Sequence, residues 1–215
     1  VADLNQENLQ ALALGFENLK RHIQNCSEHY GLDLIVAINQ FSADTQDEIA
    51  FVKTAVEKLG FQALLCNHWS EGAKGAVELA NAAITLLENN KSNFRYVYEP
   101  DLSLKQKIEV LAKKIYRAKS VIYETEAAEQ INELAKLYDN LPVCIAKTPY
   151  SFSSDPKQRG AATDHDLNIR EIRLSRGAGF IVAVCGDLMT LPGLPKIPAS
   201  EHIFVDKKGN IVGLS

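Results

Sequence analysis

Short apolar runs alternate with amphipathic segments along the chain. The apolar runs are hydrophobic on both faces, as in strands buried within a sheet, and the segments between them have helical periodicity. This alternation predicts an α/β fold with mostly parallel sheets flanked by helices. The predicted strands are 34–38, 63–66, 96–98, 143–146 and 180–184, with a closing pair at 202–205 and 210–214, and the predicted helices are 4–25, 45–59, 76–87, 104–118 and 124–137.

Capping and turn residues support these boundaries. Thr45 and Glu48 have the spacing of a capping box, and Gly60 stands where a helix C-terminus favours glycine. Residues 206–209 predict a hairpin turn between the last two strands. Polar residues around 88–101 suggest two subdomains, 1–100 and 101–215, with the site formed by loops at the carboxyl ends of strands and the second subdomain ending in a β-hairpin.

Composition narrows the class of protein. The 215 residues are 46% hydrophobic and 23% charged, typical of a globular protein and unlike collagen, disordered chains or disulfide scaffolds. A net charge of −4 gives no basic field for nucleic acid or anionic membranes. The chain starts at Val1 inside a helical pattern, so we expect a piece of a longer protein.

The four cysteines indicate the compartment. Cys26, Cys66, Cys144 and Cys185 form no CxxC pair, which favours buried free thiols in a reducing setting. No apolar run reaches the roughly 20 residues of a membrane span, and no signal peptide opens the chain. We predict a cytoplasmic protein with no membrane partner.

Two loops that follow predicted strands carry large aromatic residues with no obvious core to enter. Phe41 lies in the loop 39–45, and Trp69, the only tryptophan, lies in the loop 67–75. If the strands are parallel, both rings emerge at one edge, where α/β proteins bind ligands. The pair then suits a flat heteroaromatic ligand held by stacking, or it plugs the top of the core. The candidate supporting residues are Asn39, Asp44, His68 and Gly72.

Phosphate binding and nucleophilic catalysis receive little support from the motifs. The glycines in 72–76 lack the GxxxxGK[ST] spacing of a triphosphate cradle. Residues 39–42 stand where GTPases have NKxD, but Gln40 replaces the Lys and Ser42 the Asp, which argues against guanine recognition. The five histidines show no HExxH spacing, so no metal site is predicted. There is also no GxSxG elbow to position a serine nucleophile.

Two further loops leave alternatives open. Lys147, directly after a predicted strand, either meets an anion or extends its amine to solvent. Pro192 and Gly193 form a turn between leucines, which is either an apolar shelf for a ring or only a turn.

Distinctive motifs lie in order over nearly the whole chain. They are Val36-Ala37-Ile38-Asn39-Gln40-Phe41 with Asp44-Thr45 and Glu48, His68-Trp69, Ala146-Lys147-Thr148 with Tyr150-Ser151 and Asp155-Pro156, Gly177-Ala178-Gly179-Phe180, and Met189-Thr190-Leu191-Pro192-Gly193-Leu194-Pro195-Lys196. Together these motifs resemble the formate–tetrahydrofolate ligase family. Their order resembles the C-terminal part of such an enzyme.

The resemblance implies a reaction and indicates which parts of the full-length enzyme carry out its steps. ATP with Mg²⁺, formate and tetrahydrofolate would give 10-formyltetrahydrofolate, ADP and phosphate by way of formyl phosphate, in a homotetramer. The P-loop and the catalytic residues would lie upstream of Val1, in a region that this chain lacks. Phe41 and Trp69 match the pair that sandwiches the pterin, and Pro192 and Gly193 are the candidates near the nucleotide. The alternative is a non-catalytic assembly module of the same polypeptide.

Some positions depart from the family's usual pattern. Ala73 stands where a second glycine is common, Pro149 where a polar residue is usual, and residues 161–165 replace a segment that is normally GAPTGF-like. The last departure puts in doubt whether the second subdomain keeps the family's contacts near the nucleotide.

Overall fold

The computed structural model describes residues 5–89, 93–147, 151–155, 157–186 and 196–213. Its first part contains a two-stranded parallel sheet with helices around it. The sheet consists of β1 (Ile35–Asn39) and β2 (Gln62–Cys66). The helices are α1 (Leu9–Gln24), which continues into a π-helical turn (Asn25–His29), α2 (Gln46–Glu57), the short α3 (His68–Glu71), a 3₁₀ turn (Gly72–Ala76) and α4 (Val77–Asn89).

The second part contains a four-stranded mixed sheet. Its strands are β3 (Ser120–Tyr123), β4 (Val143–Ala146), β5 (Asp166–Ser175) and β6 (Phe180–Cys185), in the order β3-β5-β6-β4, with α5 (Leu104–Lys114) and α6 (Thr125–Tyr138). β5 and β6 form an antiparallel hairpin, whereas β3 pairs with β5 and β4 with β6 in parallel. A terminal hairpin joins β7 (Phe204–Val205) and β8 (Ile211–Val212).

Two separate hydrophobic clusters hold these sheets. The smaller one centres on Ile23, Val56 and Ala63, between α1, α2 and β2. The larger one lies between α5, α6 and the four-stranded sheet, with Leu104 and Ile169 among its fully buried members. Their burial supplies the main stabilising free energy, and the smaller cluster leaves the first sheet the more weakly supported.

Polar contacts connect α1 to the second sheet's helices. Arg21 Nη2 donates hydrogen bonds to the carbonyls of Lys114 and Ile115, and Asn25 Nδ2 donates to Ile115 at 3.2 Å. These donors satisfy the carbonyls that the end of α5 leaves without intrahelical partners. The proposed division at residue 100 remains a prediction, and α1 contacts residues on the far side of it.

The predicted fold class is confirmed, because three of the five described strand pairings are parallel and helices flank the sheets. The terminal hairpin also lies where residues 206–209 predict a turn, with the Asp206 N–H donating to the Asn210 carbonyl at 2.9 Å. None of the described helices combines the length and apolar character needed to cross a bilayer.

The predicted strand 96–98 is wrong. Val97 is buried in the larger cluster, and the Tyr98 hydroxyl accepts a hydrogen bond from the Val143 N–H at 3.1 Å, so the segment packs as irregular backbone. β3 and β5 were missed, and β5 alternates charged with apolar side chains.

The thiol prediction holds only in part. All four cysteines are free, and Cys66 and Cys185 are buried. Cys26 is half-buried, and Cys144 is exposed because its side chain lies on the outer face of β4, the edge strand of its sheet.

The capping box at α2 is confirmed. Thr45 Oγ1 accepts the Glu48 N–H at 3.3 Å, and the Glu48 carboxylate accepts the N–H groups of Thr45 at 3.1 Å and Asn8 at 3.0 Å. These bonds hold the pKa of Glu48 below its usual value. The carboxylate's contribution to stability is therefore present above the usual glutamate pKa and is lost as the pH falls through the depressed one.

We expect Thr45→Ala to lower the free energy of unfolding by about 1 kcal/mol, because α2 loses its N-cap acceptor. Urea denaturation followed by circular dichroism measures the change. Thr54→Ala, at an exposed position inside the same helix, is the control and should be neutral or slightly stabilising. Equal losses in both variants would contradict the role of the cap.

Candidate functional site

The parallel register of β1 and β2 brings the two aromatic loops together. Asn39, the last residue of β1, pairs with Cys66, the last residue of β2. The Gln40 N–H also donates to the Cys66 carbonyl at 3.3 Å, which carries the pairing one residue beyond the strand. Both loops therefore leave the same edge of the sheet side by side, as the sequence predicts.

Both aromatic rings at this edge face solvent. The exposed fraction is 70% for Phe41 and 62% for Trp69, so neither ring plugs the core. Large exposed rings at a strand edge are a surface on which a planar ligand can stack.

A hydrogen bond ties the Trp69 indole to the first loop. Trp69 Nε1 donates to the Gln40 carbonyl at 2.7 Å. This acceptor belongs to the residue directly before Phe41, so the bond fixes the indole beside the turn that carries the phenyl ring. The sequence offered no signal for it, because any residue at position 40 supplies a backbone carbonyl.

Asp44 holds the conformation of the first loop. Its Oδ2 accepts the Phe41 N–H at 2.8 Å, while the Asp44 N–H donates to the Phe41 carbonyl at 3.1 Å. The two bonds close a tight turn immediately before Thr45 begins the cap of α2. The turn limits the backbone movement of Phe41 and therefore the directions in which its ring can point.

The second loop depends on glycine at two positions for different reasons. Gly72 has φ +59°, a conformation that side chains disfavour, and the space around it is open. Gly75 approaches Asn67, whose N–H donates to the Gly75 carbonyl at 3.0 Å. A Cβ at Gly75 would lie 2.4 Å from the Asn67 carbonyl carbon. Gly72 is one of the predicted supporting residues, whereas Gly75, which makes the close backbone contact, was not predicted.

The remaining candidates have different outcomes. Asn39 and His68 have exposed side chains at the same edge, His68 as the first residue of α3. Pro192 and Gly193 lie outside the described residues, so their nucleotide assignment stays a prediction.

The groups at this edge are suited to binding a flat ligand by stacking. Its distinctive groups are two exposed π-faces on a rigid pair of loops. Within the part of the chain that the structure describes, no group of three or more His, Cys, Asp or Glu side chains lies together to hold a metal ion.

Comparison with known proteins finds a family and relatives of similar sequence. A sequence model of the family described as formate–tetrahydrofolate ligase matches residues 1–215. Three curated proteins with that name are similar to this chain. The protein from Methylococcus capsulatus is 49% identical to it over 212 residues, that from Rhizobium etli 47% over 213, and that from Pelagibacter ubique 46% over 213. Each alignment covers 99% of this chain and 38% of the relative, so the chain spans well under half the relatives' length.

Proposed function

The chain belongs to the formate–tetrahydrofolate ligase family, and from that premise we propose that its aromatic edge binds the pterin ring of tetrahydrofolate. The observation that carries the proposal is the exposed pair Phe41 and Trp69, joined through the Gln40 carbonyl at the ends of two parallel strands. The pyrimidinone half of the reduced pterin is flat and conjugated, and such a ring stacks well between two aromatic faces.

Stacking would supply both affinity and orientation. An aromatic face against a heterocycle contributes about 1–3 kcal/mol by analogy with base stacking. Because Asp44 holds the Phe41 turn and Gln40 holds the Trp69 indole, little loop entropy is lost when the ring binds. The bound ring fixes the amine nucleophile of the cofactor relative to the activated formyl group, which is catalysis by positioning.

The whole reaction that we propose is the ATP-dependent joining of formate to tetrahydrofolate through formyl phosphate. In this scheme the nucleotide, its Mg²⁺ and the catalytic residues belong to the P-loop region, which the 215 residues do not contain. We assign no Mg²⁺ ligand to the described residues of this chain. Its own task is to bind and orient the acceptor, so the chain by itself should bind tetrahydrofolate without forming product.

The same resemblance leads us to propose a cytoplasmic homotetramer as the assembled form. α4 offers a surface for subunit contact, because Val77, Ile84 and Leu87 expose between 52% and 75% of their side chains at helical spacing. This stripe is the observation that favours the assembly role, which accompanies acceptor binding rather than replacing it.

An activity assay tests the proposed reaction. A polypeptide of full family length that carries these 215 residues should form 10-formyltetrahydrofolate from formate, ATP and tetrahydrofolate, with one ADP released per product. Omission of any one substrate should abolish product formation. Product formed without ATP, or ATP consumed without a formylated folate, would reject the reaction, while folate binding to the 215-residue chain reports on the acceptor site separately.

A further inference from the structure

A second concave site lies at the carboxyl end of β4, in the other sheet. It is a cavity of about 350 Å³ between α1 and the end of that strand. The polar side chains in its wall are those of Asn18, His22, Tyr116, Lys147 and Ser151. Neither the aromatic loops nor the pterin proposal uses any of these residues.

Lys147 is fixed in the wall of this cavity. Its amine lies 5.5 Å from the ring centroid of Tyr116 and 5.6 Å from that of Phe152, and it donates a hydrogen bond to the Ser151 carbonyl. Contacts between an ammonium group and aromatic faces are favourable, and they hold this cation at a partly buried position. The side chain therefore presents a positive charge to the cavity rather than extending into bulk water.

Two histidines lie close enough to Lys147 to feel its charge, and one of them, His22, lines the cavity. The His22 ring packs on Phe152 with centroids 4.7 Å apart, next to the cavity. Burial lowers the pKa of His22, and the charges of Lys147 and Arg21 lower it further. The pKa of His165 is also lowered, first by burial, with Lys147 contributing and Asp164 and Asp166 opposing. A bound anion next to His22 would oppose this shift and favour its imidazolium form.

The wall also contains an acceptor that needs a donor. Asn18 Oδ1 is buried and has no hydrogen-bond partner among the described residues. A buried carbonyl oxygen without a donor costs free energy, so a ligand that donates to it gains affinity. A carboxylate has acceptor oxygens only, whereas a protonated phosphate has acceptor oxygens together with a P–OH donor.

We propose that this cavity binds a phosphate group, with Lys147 and His22 facing its oxygens and Asn18 Oδ1 accepting its P–OH. The group comes either as inorganic phosphate or as a phosphate monoester. The inference is independent of the pterin site, because it rests on different residues and a different sheet.

Calorimetric titration of the 215-residue protein with inorganic phosphate, in a phosphate-free buffer, tests the site directly. We expect saturable binding that Lys147→Met weakens about tenfold or more, because a charge-assisted contact is lost. The control is Lys113→Met, which removes an exposed lysine paired with Glu109 at 3.5 Å and should leave the affinity unchanged. Equal affinity in wild type and Lys147→Met would overturn the proposal.

A second measurement needs no variant of Lys147. Proton NMR of the His22 ring, assigned with His22→Gln, should show its pKa rising when phosphate is added, since a bound anion favours the imidazolium. An unchanged His22 pKa at saturating phosphate would overturn the proposal.

Two further ligands define the chemistry. Tighter binding of a simple phosphate monoester than of inorganic phosphate would assign the site to a phosphorylated metabolite, and the reverse order would assign it to free phosphate. Formate that binds as tightly as phosphate would overturn the role of the P–OH donor.

Discussion

Phe41→Ala should weaken tetrahydrofolate binding by roughly 5- to 150-fold, the loss of one aromatic face worth about 1–3 kcal/mol. The free energy of unfolding should change little, because the ring is 70% exposed. Trp69 is the only tryptophan in the chain, so its fluorescence reports on binding at this edge without interference from another indole. A titration of the 215-residue protein with tetrahydrofolate under anaerobic conditions measures the dissociation constant.

Phe204→Ala is the matched control for this variant. Phe204 is a phenylalanine of comparable exposure, 57%, but it lies in the terminal hairpin. Its removal should leave the dissociation constant unchanged. If Phe41→Ala binds as tightly as wild type, or if the two variants lose affinity equally, the stacking assignment is wrong. Free indole titrated with the same folate concentrations measures the loss of fluorescence that comes only from absorption of light by the ligand. This loss is subtracted from the protein signal.

Gly75→Ala should lower the free energy of unfolding by about 2 kcal/mol or more and also weaken tetrahydrofolate binding. The added Cβ would lie 2.4 Å and 2.5 Å from the Asn67 carbonyl carbon and oxygen, and 2.7 Å from the His68 nitrogen. All three atoms are backbone, so the loop has to move, and Trp69 moves with it. Urea denaturation gives the stability, and the fluorescence titration gives the affinity.

Gly15→Ala separates this clash from a general effect of replacing glycine. Gly15 lies within α1, and nothing lies within 4 Å of a Cβ built there. The substitution should be neutral or stabilise the protein by up to about 1 kcal/mol, because alanine favours the helix. A Gly75→Ala protein as stable as wild type, with unchanged affinity, would show that the loop accommodates the methyl group and that the close contact with Asn67 does not position Trp69.

The location of the aromatic edge followed from local pattern. Apolar runs at β1 and β2 predict buried strands, and parallel strands end at a common edge, so Phe41 and Trp69 had to emerge near each other. Whether the rings plug the core or face solvent could not be decided in that way. Exposure depends on how much core lies beneath the loops, and the cluster under this sheet is small.

The errors in the predicted strands have a similar origin. The residues 96–98 are apolar and aromatic enough for a strand, but Val97 and Tyr98 are used in packing within the larger cluster and against β4. β5 carries charged residues between its apolar ones, and its pairing on both sides by β3 and β6 stabilises it as a strand. Strand pairing is a long-range contact, and a short window of sequence does not contain its partner.

The sequence by itself determined the class of fold, the helix caps, the terminal hairpin and the two aromatic residues, because each depends on the spacing of a few neighbouring side chains. Tertiary structure alone decided that the Trp69 indole binds the Gln40 carbonyl, that Gly75 lies against Asn67, and that Lys147 and His22 line one cavity. These contacts join backbone atoms or side chains from separate elements. Their geometry is set by how the two sheets and α1 pack, which local periodicity does not encode.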